Sequence, residues 1–386
     1  MTQGQEIYFD NNATTKVLPE VKEAVVELLA QGASNSSSPH SGNVRARKVL
    51  SQCRQNISQI LCVPSSSITF TSGGTESNNL ALHSVLSSSY SPLKRIVTTA
   101  VEHSSILKKC ESLKRHNIEI ITLPVNSKGL IDLEQLCEEI GVGSTLVSIQ
   151  WANNETGVIQ PMHEIAKICA NKSCILHTDA AQALGKLEID LQGTSIHMLS
   201  FTGHKLHAPS GIGGIYVSET IKLNPILLGG EQEHGLRAGT ENIVGITALG
   251  KAIEVRASKL HSDIEYMQKL RDKFEHLLFE ELDGLTINGS TSSRICNTTN
   301  ISFSGIDGQA LLGHLNSKGV YCSQGSACTS MSPHPSHVLM AMGLREDEAY
   351  SSLRFSFSVL NTLEEIYEAI GKITDSCEAL RKLSVM

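Results

Sequence analysis

Two short segments carry residue types that together can run imine chemistry. Phe201-Thr202-Gly203-His204-Lys205-Leu206-His207-Ala208-Pro209 sets one lysine at the end of an apolar run, between a histidine and a Pro/Gly-rich turn. Upstream, His177-Thr178-Asp179-Ala180-Ala181-Gln182 ends a second apolar run on an aspartate. An amine that forms an imine and a carboxylate that holds a pyridinium nitrogen are the two protein groups that pyridoxal phosphate needs. Taken alone, Lys205 reads as a surface lysine. Its neighbours reverse that, because an ammonium drawn out of water loses pKa and offers a neutral amine. Pro209-Ser210-Gly211 then fixes the backbone behind it. Asp179 would also cap a helix that begins at Ala180. Facing a pyridine nitrogen, it would keep the ring protonated, an electron sink for charge at a substrate's α-carbon. Gln182, within a turn of Asp179, is placed to contact the ring's phenolic oxygen.

Four further groups fit the same chemistry. Thr71-Ser72-Gly73-Gly74-Thr75-Glu76 follows a strand pattern and opens a helix. Glycines admit close backbone approach and a helix N-terminus offers unpaired amides, so a phosphate is expected on Gly74 and Thr75. His103, in Glu102-His103-Ser104-Ser105, sits at a strand end where the ring should lie. Stacking or proton handling is expected of it over a purely structural role. Cys328 lies among Ser, Gly, Ala and Thr, which give a thiol little apolar shelter. An accessible, low-pKa thiolate attacks another sulfur, whereas Cys322 is expected to be packed. Arg354, alternating in Leu353-Arg354-Phe355-Ser356, offers a planar fork for an α-carboxylate; an ordinary salt bridge is the alternative.

The elements that must position these groups alternate. Strand patterns at Ile68-Phe70, Ile96-Thr99, Ile118-Leu123, Leu146-Trp151, Cys174-His177, Met198-Phe201 and Gly214-Val217 are separated mostly by helical ones. That predicts an α/β domain with a mostly parallel sheet, whose functional residues gather at the carboxyl ends of strands. Gly74, Asn154, Asp179 and Lys205 all fall just past a strand. A long helix is predicted from Asn242 to Leu282, leading to a smaller α/β domain with strands at Thr299-Phe303, Val320-Cys322 and Leu353-Phe357. Gln324-Pro335, rich in Ser, Gly and Pro, reads as a loop. The expected division is 13–255 for the large domain, with 1–12 and 256–386 forming the small one and carrying the cysteine loop at about 322–335.

With 386 residues, 40% hydrophobic and 18% charged, the chain can bury two cores. A net charge of -7 with no Lys/Arg-dense block argues against nucleic acid or anionic membrane as partners. No apolar run reaches the length of a membrane span. The start, Met1-Thr2-Gln3-Gly4-Gln5-Glu6, lacks the pattern of a signal peptide. Ten scattered cysteines form no Cys-x-x-Cys pair, so no metal site is expected and the thiols should be reduced. The expected location is the cytoplasm, or an organellar matrix if a presequence has been removed.

In order along nearly the whole chain, these segments resemble the cysteine desulfurases of the class V aminotransferase family. The resemblance begins at Tyr8-Phe9-Asp10-Asn11-Asn12-Ala13-Thr14-Thr15 and runs through Gly73-Gly74-Thr75-Glu76, Val101-Glu102-His103 and Asn153-Asn154-Glu155-Thr156-Gly157. It continues through Asp179-Ala180-Ala181-Gln182, Gly203-His204-Lys205 and Arg237-Ala238-Gly239-Thr240-Glu241-Asn242. The cysteine loop, extended to Ser336-His337, is similar to the long-loop NifS/IscS-like group. Ser210 and Ser358-Val359 stand where a basic residue and Gly-Arg are frequent.

The resemblance implies the PLP-dependent transferase fold type I and a homodimer. It implies that Lys205 carries the cofactor as an imine, Asp179 holds the pyridine nitrogen, Gln182 and Asn154 hold the phenolic oxygen, and His103 stacks on the ring. Gly74, Thr75, Thr202 and His204 would bind phosphate, with Thr240 reaching it from a second subunit. Asn35 and Arg354 would hold the substrate carboxylate, and Cys328 would accept sulfur. The expected reaction converts L-cysteine to L-alanine through a persulfide on Cys328, passed to an acceptor protein such as an iron-sulfur scaffold. A selenocysteine lyase, sharing fold and cofactor groups, is the first alternative. A catalytically silent sulfur-acceptor scaffold is the second.

Overall fold

Strands buried on both faces and joined by helices build the larger sheet. The computed structural model describes residues 6–32, 35–36, 44–83, 93–141, 145–289, 293–325 and 335–384. The sheet has seven strands in the order Ile68–Thr71, Gly213–Val217, Met198–Thr202, Ile175–Asp179, Thr145–Ser148, Arg95–Thr99 and Glu119–Leu123. All pairings are parallel except the two made by Gly213–Val217, which runs against its neighbours. The interior strands are buried almost throughout because helices cover both faces. Only Glu119–Leu123, at the edge, is largely open. All seven strand patterns read from the sequence are present. Leu146-Trp151 stops early, at Ser148, because the Glu102 carboxylate takes the Gln150 amide at 3.0 and 3.1 Å in place of a strand partner.

Two features hold the carboxyl ends of the central strands. His177, fully buried, bonds Ser148 on one neighbouring strand and Ser200 on the other, each at 2.9 Å. Burial pushes its imidazole down to about 4, so it is a neutral cross-strand tie. Gly213 lets its strand start beside the turn at Gly73; a Cβ there would lie 2.6 Å from the Phe201 carbonyl and 2.7 Å from the Gly73 Cα. Any side chain at 213 would displace the turn that opens the helix Gly74–His83.

The predicted long helix runs Ile243–Glu281, capped by Asn242, whose side chain accepts from the Gly245 amide at 3.0 Å. Ile246, Leu249 and Ile253 on it belong to the large sheet's core, whereas Leu270, Phe274 and Leu278 belong to a second core. That second core packs on a three-stranded antiparallel sheet, Ser352–Ser356, Thr298–Phe303 and Leu285–Ile287. The chain start joins it: Ile7–Tyr8 pairs in parallel with Val320–Tyr321, and Phe9 packs edge-on against Phe274 and Phe357. Asp10 to Asn12 are thereby held where the two cores meet, with the Asn12 amide on Ser356 Oγ at 2.9 Å.

Candidate active site

A cleft of about 760 Å³ opens at the carboxyl ends of the large sheet's strands. Gly74, Thr75, Thr202 and His204 line it, as do Asp179, Gln182, Lys205 and His103. Asn154 and Arg354 complete the set, so ten residues singled out from sequence meet around one cavity. Asn35 and Thr240 are not among the lining residues; both are exposed. Cys328 lies outside the described residues.

Each position follows from local structure. Lys205 ends the single helical turn Gly203–Lys205, which the Gly203 amide ties back to the Ile212 carbonyl at 2.9 Å. Asp179 ends its strand, 7% exposed, with the Ala181 amide on Oδ1 at 2.9 Å and Asn78 Nδ2 on Oδ2 at 2.6 Å. His103 caps the helix Ser104–Leu113: its Nδ1 accepts from the Ser105 amide at 3.2 Å, which puts the ring proton on Nε2. Burial holds the His103 imidazole below its ordinary pKa, with Lys205 and His337 adding to the effect against Asp179. His204, also lining the cleft, is pushed down to about 4 by burial and by Lys205 and Lys186.

Arg354 realises the salt-bridge alternative while still facing the cleft. Its side chain is 1% exposed, with Nη2 on Asp10 Oδ1 at 2.5 Å and Nη1 on the Asn154 carbonyl at 3.1 Å. Its buried Nε has no hydrogen-bond partner among the described residues. A second carboxylate is therefore the kind of group this guanidinium can still take.

Sequence reasoning missed four residues here. Asn78, Asn12 and Gln150 line the cleft. Asn78 was legible as the residue four after Gly74, on the same face of the helix. Lys186 lies behind the cleft, buried, with Nζ on Gln182 Oε1 at 2.6 Å and on Asn12 Oδ1 at 3.0 Å. Burial pushes that amine down to about 7. Beyond its place four residues after Gln182, no local pattern marks Lys186, since its other partner, Asn12, lies 174 residues away.

Pyridoxal phosphate fits these residues. A helix N-terminus at Gly74 with two hydroxyls suits a phosphate, and a buried carboxylate with a nearby lysine suits the ring. Gly74 leaves the cradle open: a Cβ there would sit in ordinary contact, 3.6 Å from Thr202 and 3.9 Å from Ala181, where an anion must enter. Asn78 Oδ1, buried beside Asp179, has no hydrogen-bond partner among the described residues.

A family model described as Aminotransferase class-V matches residues 7–368. The chain belongs to the class-V aminotransferase family. Among curated members it is similar to a cysteine desulfurase of Nostoc sp., 42% identical over 379 residues that cover 98% of this chain and 94% of that one. It is 40% identical over 380 residues to the cysteine desulfurase NifS of Azotobacter vinelandii, with the same two coverages. Among solved class-V structures it is similar to a NifS-like protein, with a TM-score of 0.90, 33% identity and 97% and 100% of the two chains covered. SspA in complex with cysteine matches with a TM-score of 0.82 and 33% identity, over 93% and 100%.

Behind the class-V cleft lies a buried acid with a measurable consequence. Glu102 is fully buried, accepting from Thr99 Oγ1 at 2.8 Å and from the Gln150 amide. Burial pushes its carboxyl up to about 8 from an ordinary 4.5. A raised folded pKa means its stabilising contribution is complete below the unfolded pKa and is lost as pH rises through the folded one. Glu102→Gln removes that titration. Between pH 5 and pH 8 the parent's melting temperature should fall about 5 °C relative to the variant's. Parallel melting curves at both pH values would show that Glu102 does not titrate there.

Proposed function

We propose that the protein is a pyridoxal-phosphate-dependent cysteine desulfurase. It converts L-cysteine to L-alanine, leaves the sulfur as a persulfide on Cys328, and passes it to an acceptor protein. The observation that carries this reading is one cleft lined by Lys205, Asp179 and His103, in a chain 42% identical over almost its full length to a cysteine desulfurase.

When bound, pyridoxal phosphate supplies the electron sink for charge that develops at the substrate's α-carbon. The chain supplies the rest. Gly74, Thr75, Thr202 and His204 hold the phosphate, Asp179 the ring nitrogen, and Gln182 and Asn154 the phenolic oxygen. Lys205 would hold the cofactor, and its Nζ would be the group that moves a proton at the substrate's α-carbon. His103 covers the ring, with its proton on Nε2 ready to be given. Arg354, held by Asp10, and Asn35 bind the substrate carboxylate. The Cys328 thiolate attacks the substrate's sulfur: a sulfur–sulfur bond forms, the carbon–sulfur bond breaks, and the protonated carbon leaves as alanine.

The working unit is a homodimer in which Thr240 serves the phosphate of the second copy. Its exposed position away from its own cleft supports this, as do apolar side chains left open at Leu228 (84% exposed) and Val26 (66%). The sulfur goes to an iron-sulfur scaffold or a thiolation partner. Nine cysteines among the described residues that stand outside any disulfide support a reducing compartment, the cytoplasm or an organellar matrix. The separate apolar cores support a division into 13–255 and 1–12 with 256–386.

Purified protein given L-cysteine and a thiol reductant should form alanine and sulfide in equal amounts. No alanine from cofactor-loaded protein would overturn the reading, and turnover of L-selenocysteine alone would assign a selenocysteine lyase.

A further inference from the structure

Lys186 is a buried amine for which the proposed reaction has no use. It is 5% exposed and, among the described residues, forms no ion pair. Its hydrogen-bond partners are the amide oxygens of Gln182 and Asn12, at 2.6 and 3.0 Å. A buried amine without a carboxylate is costly, so its place calls for a reason.

The reason lies in what the amine does to Gln182. A carboxamide has a donor end and an acceptor end of nearly equal shape, and its partners decide which end points where. Lys186 donates to one end, which must therefore be Oε1. Gln182 Nε2 donates to the Asn12 carbonyl at 3.0 Å. The nitrogen's second N–H remains for the cleft that Gln182 lines. Asn12 is itself anchored, with Nδ2 on Thr298 Oγ1 at 2.8 Å and Asn297 Nδ2 on its Oδ1 at 3.2 Å, so the frame around the amide is fixed from both cores.

We propose that Lys186 is a positioning residue: it locks the Gln182 amide with the nitrogen facing the cofactor's phenolic oxygen and polarises that N–H as a donor. This rests on the placing of Gln182 at the phenolic oxygen. The lock works in either protonation state, because the neutral amine keeps two N–H groups for the same two oxygens. Donation onto Oε1 strengthens donation from Nε2, as in any hydrogen-bond chain. Without Lys186 the carbonyl end is left buried and unpaired, and only the Nε2 bond to the Asn12 carbonyl still decides which end of the amide faces the cleft.

The test is a double-mutant cycle on cofactor affinity, measured by titrating the cofactor-free proteins with pyridoxal phosphate. Gln182→Ala should weaken binding about tenfold. Lys186→Met, matched in length but with no donor, should weaken it by the same factor, which is about 1.4 kcal/mol. In the double variant the Lys186 change should add nothing. It should also shift the bound cofactor's visible absorption when Gln182 is intact but not in the Gln182→Ala background. Melting of each cofactor-free protein separates this from a folding defect; should Lys186→Met not fold, Lys186→Leu, also without a donor, completes the same cycle. Unchanged affinity in Gln182→Ala would refute the site reading beneath the proposal. A weakened Gln182→Ala with an unaffected Lys186→Met, or losses that add in the double variant, would overturn the proposal itself.

Discussion

Lys205→Ala is expected to lower alanine formation from L-cysteine by about a thousandfold or more, with the fold intact. The change removes the side chain beyond Cβ, amine included, and leaves the backbone as it is. The turn that presents it is held by backbone bonds, Gly203 to Ile212 at 2.9 Å and Ala208 to Gly203 at 3.1 Å, which alanine leaves in place. The phosphate cradle at Gly74 and Thr75 and the Asp179 carboxylate are separate elements of the cleft. The variant should therefore still bind pyridoxal phosphate, but without a covalent link. Borohydride treatment followed by peptide mass analysis checks this: the parent should carry the cofactor on the Lys205 peptide and the variant should carry none. A variant that keeps a tenth or more of the parent's rate, or a label on another lysine, would remove Lys205 from its assigned role.

Cys328→Ser should abolish persulfide and lower alanine formation by a comparable factor while leaving cofactor absorbance unchanged. The other thiols are poor substitutes. Burial pushes Cys322 far up and holds Cys296 at about 11, and Cys110 and Cys169 at about 12, so none is a thiolate near neutral pH. Cys62 is exposed, but its thiol is also raised, and it lines a different depression beside Asp190 and His163. The residues that flank the Cys328 segment are anchored, Gln324 Nε2 to the Tyr350 carbonyl and Ser336 Oγ to Glu155 Oε2, the neighbour of cleft-lining Asn154, each at 2.5 Å. Alkylation of the parent after brief exposure to cysteine, then mass analysis, should find the extra sulfur on Cys328. Persulfide at another cysteine, or sulfide release by the serine variant at the parent rate, would sink the assignment.

The groups legible in the chain are those whose chemistry and placement are both local. Gly74, Asp179 and Lys205 each follow an apolar strand within a few residues, and a strand end in a parallel α/β sheet opens onto the binding crevice. Six of the seven strands of the large sheet were readable because burial on both faces makes them near-continuous apolar runs, and the open edge strand Glu119–Leu123 was readable from its β-branched residues. The long helix was readable from its periodicity, since helical faces repeat within a turn or two.

Contacts across long sequence separations were not readable in that way. Arg354 reads as an open fork until Asp10, 344 residues away, is seen to occupy it. Lys186 reads only as the residue four after Gln182, because its second partner, Asn12, lies 174 residues away. Asn78 acquires its role only when its helix is laid against the strand that ends at Asp179. Strand and helix patterns record which face of a segment is buried, and that is set by neighbours a few residues apart. Which amide, carboxylate or ammonium then meets which is decided by how the two cores pack around the chain start at Asp10 to Asn12, and no local run of residues encodes that meeting.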